Sequence, residues 1–230
     1  MHYNTSCMMQ KHLLITGGNG FLGKQICRLA SAAGIPVVSI SRTGKPKGII
    51  ENDFRNVSWI EADVFDPDTW AQHLLDCLAV IHCIGILEED PVKGLTYQKM
   101  ILESASIVGR TARLCGVQKF VYISAGAGAP ETPASYMENK ISAEHLLNSL
   151  GMELTILKPG MLYGDERPET IMENAEIQKL LKNPQIGPRL MPNRPLPVNT
   201  AARVALHAAM TPGFSGKLSV DDMEKLAAAI

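Results

Sequence analysis

The sequence lacks the features that mark several large classes of protein. Its five cysteines are scattered without a C-x-x-C pair, so they indicate reduced thiols and neither a disulfide framework nor a metal site. Its six histidines likewise have no metal-ligand spacing. No apolar run approaches the roughly 20 residues of a transmembrane helix. The formal net charge of −1 gives no electrostatic reason to expect a nucleic acid as partner.

A glycine-rich turn is the most informative feature that is present. A short apolar run over 13–15 is followed by glycines and then by a helix-compatible stretch over 21–33. This order presents backbone N–H groups and the positive end of a helix dipole to a phosphate. Gly17 permits a tight turn, Gly20 the approach of a pyrophosphate, and Gly23 the packing of helix on strand. The spacing is G-x-x-G-x-x-G rather than the commonest dinucleotide pattern, so an ordinary glycine turn is the alternative.

Short apolar runs alternate with helical patterns over most of the chain. The predicted strands are 12–16, 36–41, 57–61, 79–84, 118–124 and 153–158, and the predicted helices between them are 21–33, 67–77, 95–116 and 134–150. The alternation predicts an α/β fold, a Rossmann-type doubly wound parallel sheet. We expect an NAD(P)-binding core over 11–158. Residues 159–230 are expected to complete the same domain as a small C-terminal helical cap, with prolines separating helices over 168–183, 199–210 and 220–229.

The end of the second strand favours NADP(H) over NAD(H). A fold that prefers NAD usually places an acidic residue there, to bind the ribose 2′-hydroxyl. This chain has Ser41, Arg42 and Lys45 instead. The planar guanidinium of Arg42 suits a 2′-phosphate, with Lys45 as a second charge; a solvated basic loop is the alternative. After the third strand, Asp63 can accept from the adenine amine or cap a helix, and the sequence permits both.

A Y-x-x-x-K pattern, Tyr136 and Lys140, is the candidate for chemistry. Residues four apart share one helix face, and an ammonium beside a phenol favours the phenolate. Such a tyrosine can give or take a proton on a carbonyl or alcohol oxygen. Ser124 ends a predicted strand at the same edge and can donate to the same oxygen. Alone, the serine could equally be a turn cap, and the tyrosine–lysine pattern arises often by chance.

Together these residues resemble the extended or atypical branch of the short-chain dehydrogenase/reductase superfamily. The resemblance is carried by 16–23, Asp63-Val64, 82–85, 120–124, the Tyr136/Lys140 pair and 157–164. Within that branch, residues 17–27, 37–45, 85–88 and 122–125 are similar to mitochondrial proteins associated with coenzyme Q biosynthesis. The NADPH-binding accessory subunit of respiratory complex I is a more distant relative of that group.

The resemblance implies roles for individual positions. Ser124, Tyr136 and Lys140 would form the catalytic triad, with Tyr136 as the acid/base. The implied cofactor-binding residues, besides the three named after the second strand, are Gly17, Asn19, Gly20, Phe21, Leu22, Gly23, Asp63, Val64, Gly85, Lys140 and Pro159. One departure is Ile101, which stands where many family members carry an asparagine of the proton relay. Lys158 replaces the usual arginine before the Pro-Gly pair.

Two functions follow as expectations. The first is an NADP(H)-dependent oxidoreductase acting on a small-molecule carbonyl or quinone-pathway intermediate, linked to coenzyme Q biosynthesis. The second is a non-catalytic, NADP(H)-bound subunit that stabilises a mitochondrial multiprotein complex. The intact triad favours the enzyme, whereas Ile101 and the small cap favour the subunit. The resemblance implies the mitochondrial matrix, with association to the inner membrane. A regulator that reads NADP(H) is a third, less favoured, alternative.

Overall fold

The structure is a computed structural model that describes residues 11–126 and 132–230, and it has the predicted α/β architecture. Nine strands lie in these residues. They are β1 (His12–Thr16), β2 (Val37–Ser41), β3 (Val57–Glu61), β4 (Cys77–His82), β5 (Lys119–Ile123), β6 (Glu153–Leu157), β7 (Leu162–Tyr163), β8 (Leu196–Pro197) and β9 (Gly216–Leu218). Seven of them form one parallel sheet in the order β3-β2-β1-β4-β5-β6-β9, and β7 pairs with β8 separately.

Helices cover both faces of the large sheet. Those in the described residues are α1 (Phe21–Ala32), α2 (Ser104–Leu114), α3 (Ala134–Ser149), α4 (Pro168–Leu181), α5 (Gly187–Leu190), α6 (Val198–Met210) and α7 (Val220–Ala229). Leu13 and Ile15 of β1 point into the core with α1 and α6, whereas Leu14 points into the core with α2 and α3. The strand is apolar on both sides because neither face of a doubly wound sheet meets water.

The strand order reverses between β1 and β4, which defines where a ligand can enter. In open α/β sheets, ligands bind at the carboxyl ends of the strands beside this reversal. Thr16 ends β1, His82 ends β4 and Ile123 ends β5, so the segments that follow these three residues meet at one edge. The glycine turn and Ser124 both lie in those segments.

Two predicted helices differ from the structure. The helix predicted over 67–77 is wrong: the chain forms short 3₁₀ turns at Pro67–Thr69 and Ala71–Leu74. Trp70 lies between them with φ of −140°, outside the helical range, and its side chain is fully buried. Anchoring this ring in the core breaks the helix. The helix predicted over 95–116 begins with a π-helical segment, Gln98–Glu103, before α2.

Residues 159–230 also contribute to the sheet. Strand β9 pairs in parallel with β6 and was not predicted, because three residues give too short an apolar pattern to recognise. Helix α6 packs against α1, and its row of alanines allows close approach to the strands. In the two described ranges, no helix combines the length and apolar character needed to cross a membrane.

Candidate dinucleotide and reaction site

The glycine turn has a shape that larger residues cannot adopt. Gly17 has φ of +76°, in the left-handed region, and a Cβ there would lie 3.1 Å from the Ile84 side chain. A Cβ on Gly23 would lie 2.3 Å from the carbonyl oxygen of Gly17. The first turn of α1 therefore packs directly on the loop that precedes it. The predicted roles of these two glycines in turn formation and close packing agree with this geometry.

The start of α1 offers hydrogen-bond donors to an anion. Gly20 occupies the N-cap position, no side chain caps the helix, and the first turn carries no acidic residue. The first N–H groups of a helix have no partner within the helix, so they are available to a phosphate. Asn19 Nδ2 donates to Thr43 Oγ1 at 2.6 Å, which ties the turn to the loop after β2. Phe21 is half-buried and the Leu22 side chain is buried, so Leu22 can serve a phosphate through its backbone.

The basic loop after β2 holds its residues differently. Ser41 Oγ donates to the carbonyl of Gly44 at 3.0 Å and so shapes the turn. Arg42 is exposed and forms no hydrogen bond or ion pair with any described residue. Lys45 pairs with Glu51. The Arg42 guanidinium therefore has no ion-pair partner among the described residues, whereas the Lys45 ammonium is already paired with Glu51.

Asp63 and Val64 follow β3 at the expected adenine end. The carboxylate of Asp63 accepts from the N–H of Phe65 at 3.1 Å, so it stabilises a local turn. The Asp63 side chain remains exposed, and Val64 is 4% exposed within the core. A ligand can therefore reach Asp63 from solvent, while Val64 supports the loop from beneath.

The structure brings Tyr136, Lys140 and Gly85 together on the other side of the strand reversal. Lys140 is 4% exposed, and its Nζ donates to the carbonyl of Ile123 at 2.8 Å. That Nζ lies 5.9 Å from the centre of the Tyr136 ring and would lie 3.5 Å from a Cβ on Gly85. Gly85 therefore leaves open the space directly beside the ammonium. Tyr97 packs edge-on against Tyr136, with ring centres 5.3 Å apart.

The electrostatics of this pair differ from the expectation. Burial lowers the pKa of Lys140 to about 8. Burial, and secondarily Tyr97, raise the pKa of Tyr136 above its ordinary value instead of lowering it. The expected lowering assumed that Lys140 dominates, but desolvation of the phenolate is the larger effect here. At neutral pH the phenol is protonated, and it is a proton donor.

Ser124 is engaged by a buried carboxylate that the sequence reading missed. Its Oγ donates to Glu144 Oε1 at 2.6 Å. Glu144 is 2% exposed and also binds Lys158 at 3.0 Å and Lys217 at 2.8 Å. Burial opposes its ionisation, but hydrogen bonds from Lys217, Ser124 and Lys158 hold its pKa below the usual range. A hydroxyl has one proton, so in this arrangement Ser124 presents only lone pairs to a substrate.

Glu144 could have been found from spacing. It lies four residues after Lys140, which in turn lies four after Tyr136, so all three share one face of α3. Lys217 could not have been found in this way, because it reaches the site from β9, a strand that the sequence pattern does not predict.

A second buried polar group lies beneath the reaction side. The ring of His82 shares hydrogen bonds with Thr16 Oγ1 at 2.7 Å and Ser104 Oγ at 3.3 Å. Burial, with a smaller effect from Lys140, lowers its pKa to about 3, so it is neutral at pH 7. Ile101 is fully buried within the π-helical segment and offers no polar atom, as the sequence implied.

Pro159 joins the site to the cap. The Gly126 N–H donates to the Pro159 carbonyl at 2.9 Å, which fixes the chain after β5 against the chain after β6. Pro159 itself is buried. In the part of the chain that the structure describes, no group of three or more His, Cys, Asp or Glu residues is placed to hold a metal ion.

These features define a dinucleotide-binding protein of the Rossmann type, and the family comparison agrees. A family model described as NAD(P)H-binding matches residues 17–187. The chain therefore belongs to this NAD(P)H-binding family.

Three curated relatives give this family a context. The chain is 31% identical to MIOREX complex component 2 of Saccharomyces cerevisiae, over 67% of this chain and 74% of that protein. It is 29% identical to an uncharacterized chloroplastic protein of Arabidopsis thaliana, over 95% of this chain and 78% of that protein. It is 23% identical to the mitochondrial NADH-ubiquinone oxidoreductase 40 kDa subunit of Neurospora crassa, over 66% of this chain and 40% of that protein.

A solved structure agrees with the fold. MoeE5 in complex with UDP-glucuronic acid and NAD superposes with a TM-score of 0.66 at 16% identity, and the match covers 95% of this chain and 81% of that one.

Proposed function

We propose that the protein is a mitochondrial NADP(H)-dependent oxidoreductase that acts on a carbonyl or quinone-pathway intermediate, linked to coenzyme Q biosynthesis. The observation that carries the reaction type is the meeting of Tyr136, Lys140 and Gly85 at the sheet edge that also holds the glycine turn. A proton donor and a cation there lie beside the dinucleotide-binding turn. That combination is what proton transfer to a substrate oxygen requires.

The chain's own residues fit the reduction direction. When bound, NADP(H) supplies the hydride. Tyr136 is protonated at neutral pH, as an ordinary tyrosine is, so its phenol can give a proton to a carbonyl oxygen; burial raises its pKa and makes it a weaker acid than an exposed tyrosine. Lys140 keeps most of its charge at pH 7 with a pKa of about 8, and it stabilises the phenolate that remains. Ser124 donates its hydroxyl hydrogen bond to Glu144, so its oxygen can accept a hydrogen bond from the alcohol that forms.

The preference for NADP(H) rests on Arg42. Its side chain is exposed at the end of β2 and has no ion-pair partner among the described residues. No acidic residue follows that strand until Glu51, which is occupied by Lys45. A 2′-phosphate fits this charge pattern better than a bare ribose hydroxyl does.

An accessory subunit that binds NADP(H) without turnover is the second candidate, and one observation favours it. Ser124 cannot donate to a carbonyl while Glu144 holds its proton, so one of the two expected donors is lost. The names of two relatives describe a complex component and an oxidoreductase subunit, which is consistent with a partner complex. A bound dinucleotide would stabilise such a subunit even without chemistry.

The proposed location in the cell rests on the names of two of the curated relatives. One carries the word mitochondrial and another the word chloroplastic, so an organelle is favoured. Combined with the resemblance to coenzyme Q proteins, we place the protein in the mitochondrial matrix or at the inner membrane. Fluorescence imaging of the tagged full-length protein tests this, and a purely cytosolic signal would contradict it.

The reaction is tested with Tyr136→Phe, using Tyr163→Phe on β7 as the matched control. NADPH oxidation is followed with a panel of small quinones and aldehydes, and NADPH affinity is measured by calorimetry. We expect Tyr136→Phe to lose at least about 100-fold in turnover, the usual contribution of a general acid. Its NADPH affinity should stay within twofold of the wild-type value, and Tyr163→Phe should keep its activity.

Two outcomes decide between the candidates. Equal turnover in Tyr136→Phe and wild type would exclude Tyr136 as the acid. A wild-type protein that binds NADPH, turns over none of the panel and copurifies with a large complex would instead support the accessory subunit.

A further inference from the structure

The cap places an arginine directly over the start of the phosphate-binding helix. The Arg167 guanidinium carbon lies 4.9 Å from the centre of the Phe21 ring, and Phe21 is the first residue of α1. The preceding loop fits closely on the same ring, because a Cβ on Gly164 would lie 3.4 Å from Phe21 Cζ. The Phe21 ring is thus a platform that holds the flat guanidinium at the side chain of the first residue of α1, which directly follows Gly20 of the glycine turn.

The neighbouring charges fix this loop and leave Arg167 available. Glu166 pairs with Lys24 at 2.7 Å and with Arg28 at 2.9 Å, and both of these cations lie on α1. The backbone N–H of Arg167 donates to the Gly164 carbonyl at 2.9 Å. The Arg167 guanidinium itself is exposed and forms no ion pair with residues in 11–126 or 132–230. Glu166 is therefore neutralised by α1, while the charge of Arg167 is not neutralised by Glu166.

We propose that Arg167 is a second anion-binding group of the dinucleotide site, contributed by the cap, and that it contacts the diphosphate. The glycine turn supplies backbone N–H groups at the start of α1, and Arg167 supplies a fork of donors that matches phosphate oxygens. The proposal rests on the dinucleotide site of the NAD(P)H-binding family and is independent of the proposed reaction.

The consequence is a direct coupling between the cofactor and the cap. Glu166 and Arg167 are consecutive residues, so one loop contacts α1 through an ion pair and would contact the cofactor through the guanidinium. Bound dinucleotide would therefore tighten the cap on α1 even when no substrate is present.

The test is the affinity of the full-length protein for three probes, measured by calorimetry. NADPH and ADP-ribose contain the diphosphate, whereas adenosine 2′-phosphate does not. Arg167→Ala should lower the affinity for NADPH and for ADP-ribose about fivefold to twentyfold, because a charge-assisted contact to phosphate is lost. The affinity for adenosine 2′-phosphate should not change. The affinities of Arg167→Lys for NADPH and ADP-ribose should lie between those of the wild type and of Arg167→Ala, since lysine keeps the charge and lacks the guanidinium fork.

Arg189→Ala is the matched control, because Arg189 is an exposed arginine on α5 of the cap and should leave all three affinities unchanged. Unchanged binding of NADPH and ADP-ribose by Arg167→Ala would overturn the proposal and leave the dinucleotide site intact. Equal weakening of all three probes would also overturn it, because that result indicates a general disturbance. A wild-type protein that binds neither NADPH nor ADP-ribose would overturn the dinucleotide site itself.

Discussion

The two sides of the strand reversal hold their functional groups in opposite ways. On the β1–β2 side, the candidate binding groups are mainly backbone N–H donors, positioned by glycines that contact each other within one turn. On the β4–β6 side, they are side chains that reach the site from separate elements, with Glu144 at the centre of the hydrogen bonds. Short-range sequence therefore determines the first side, and tertiary packing determines the second.

Breaking the Glu144 cluster should have the largest effect on stability. Glu144→Gln removes a buried carboxylate that takes part in three charge-assisted hydrogen bonds, with Ser124, Lys158 and Lys217, and we expect a loss of about 3–5 kcal/mol in the free energy of unfolding. Lys217→Met is the control, since that lysine side chain is 57% exposed and its pair should contribute about 1 kcal/mol or less. Urea denaturation followed by circular dichroism measures both. Equal losses in the two variants would mean that Glu144 is not the centre of this side.

On the glycine side, Gly23→Ala should be destabilising although alanine favours helices. The new Cβ would lie 2.3 Å from a backbone oxygen, so we expect a loss of about 2–3 kcal/mol and weaker NADPH binding. Gly109→Ala in α2 is the matched helical control. There the Cβ meets the flexible end of Leu147 at 2.5 Å, which can move aside. If Gly109→Ala were the more damaging change, the first turn would be less rigid than its geometry indicates.

The pH dependence of stability tests the burial of Lys140. Its pKa is about 8 in the folded protein and about 10.4 in an unfolded chain, so the unfolded state binds more protons between these values. The Lys140 contribution to the free energy of unfolding should therefore rise with pH in this window, by at most about 1.4 kcal/mol per pH unit. Lys140→Met should remove this rise. The buried thiols of Cys27, Cys77 and Cys83, whose pKa values burial raises, contribute the opposite slope in both proteins. Parallel pH profiles for the two proteins would show that another group is responsible.

The smallest effect concerns the end of β2. Arg42→Ala should weaken NADPH about threefold to tenfold and leave NADH nearly unchanged, because only the 2′-phosphate contact is lost. Lys45→Ala should be milder, since Glu51 already holds that lysine. Fluorescence titration with both cofactors measures the ratio. A change of the same size for NADH would exclude the phosphate assignment.

Sequence reading succeeded where one element carries the whole signal. Strand β1, the glycine turn and α1 are contiguous, and their order predicted the fold that the structure confirms, whereas the phosphate site at the turn stays a prediction. It also placed Tyr136 and Lys140 on one helix, as α3 has them, and their catalytic role stays a prediction. It could not predict the raised pKa of Tyr136, because burial and the contact with Tyr97 depend on the packing of distant segments.

The same limit explains the missing strand and the missing acid partners. Strand β9 has only three residues, and its role follows from pairing with β6 and not from its own pattern. Ser124 was correctly placed at the end of β5, yet the direction of its proton depends on Glu144 and on lysines from two further strands. The orientation of a hydroxyl depends on the hydrogen-bond partners that the folded chain brings together, so it cannot be predicted from the local sequence.

The position of Lys217 has a consequence for the order in which the protein is completed. Synthesis delivers the glycine turn and α1 first, within the opening residues of the described chain, whereas β9 comes near its end. Glu144 lacks one of its two cations until Gly216–Leu218 has paired with β6. The nascent chain therefore holds all the backbone of the glycine turn long before the hydrogen bonds around Ser124 and Glu144 are complete.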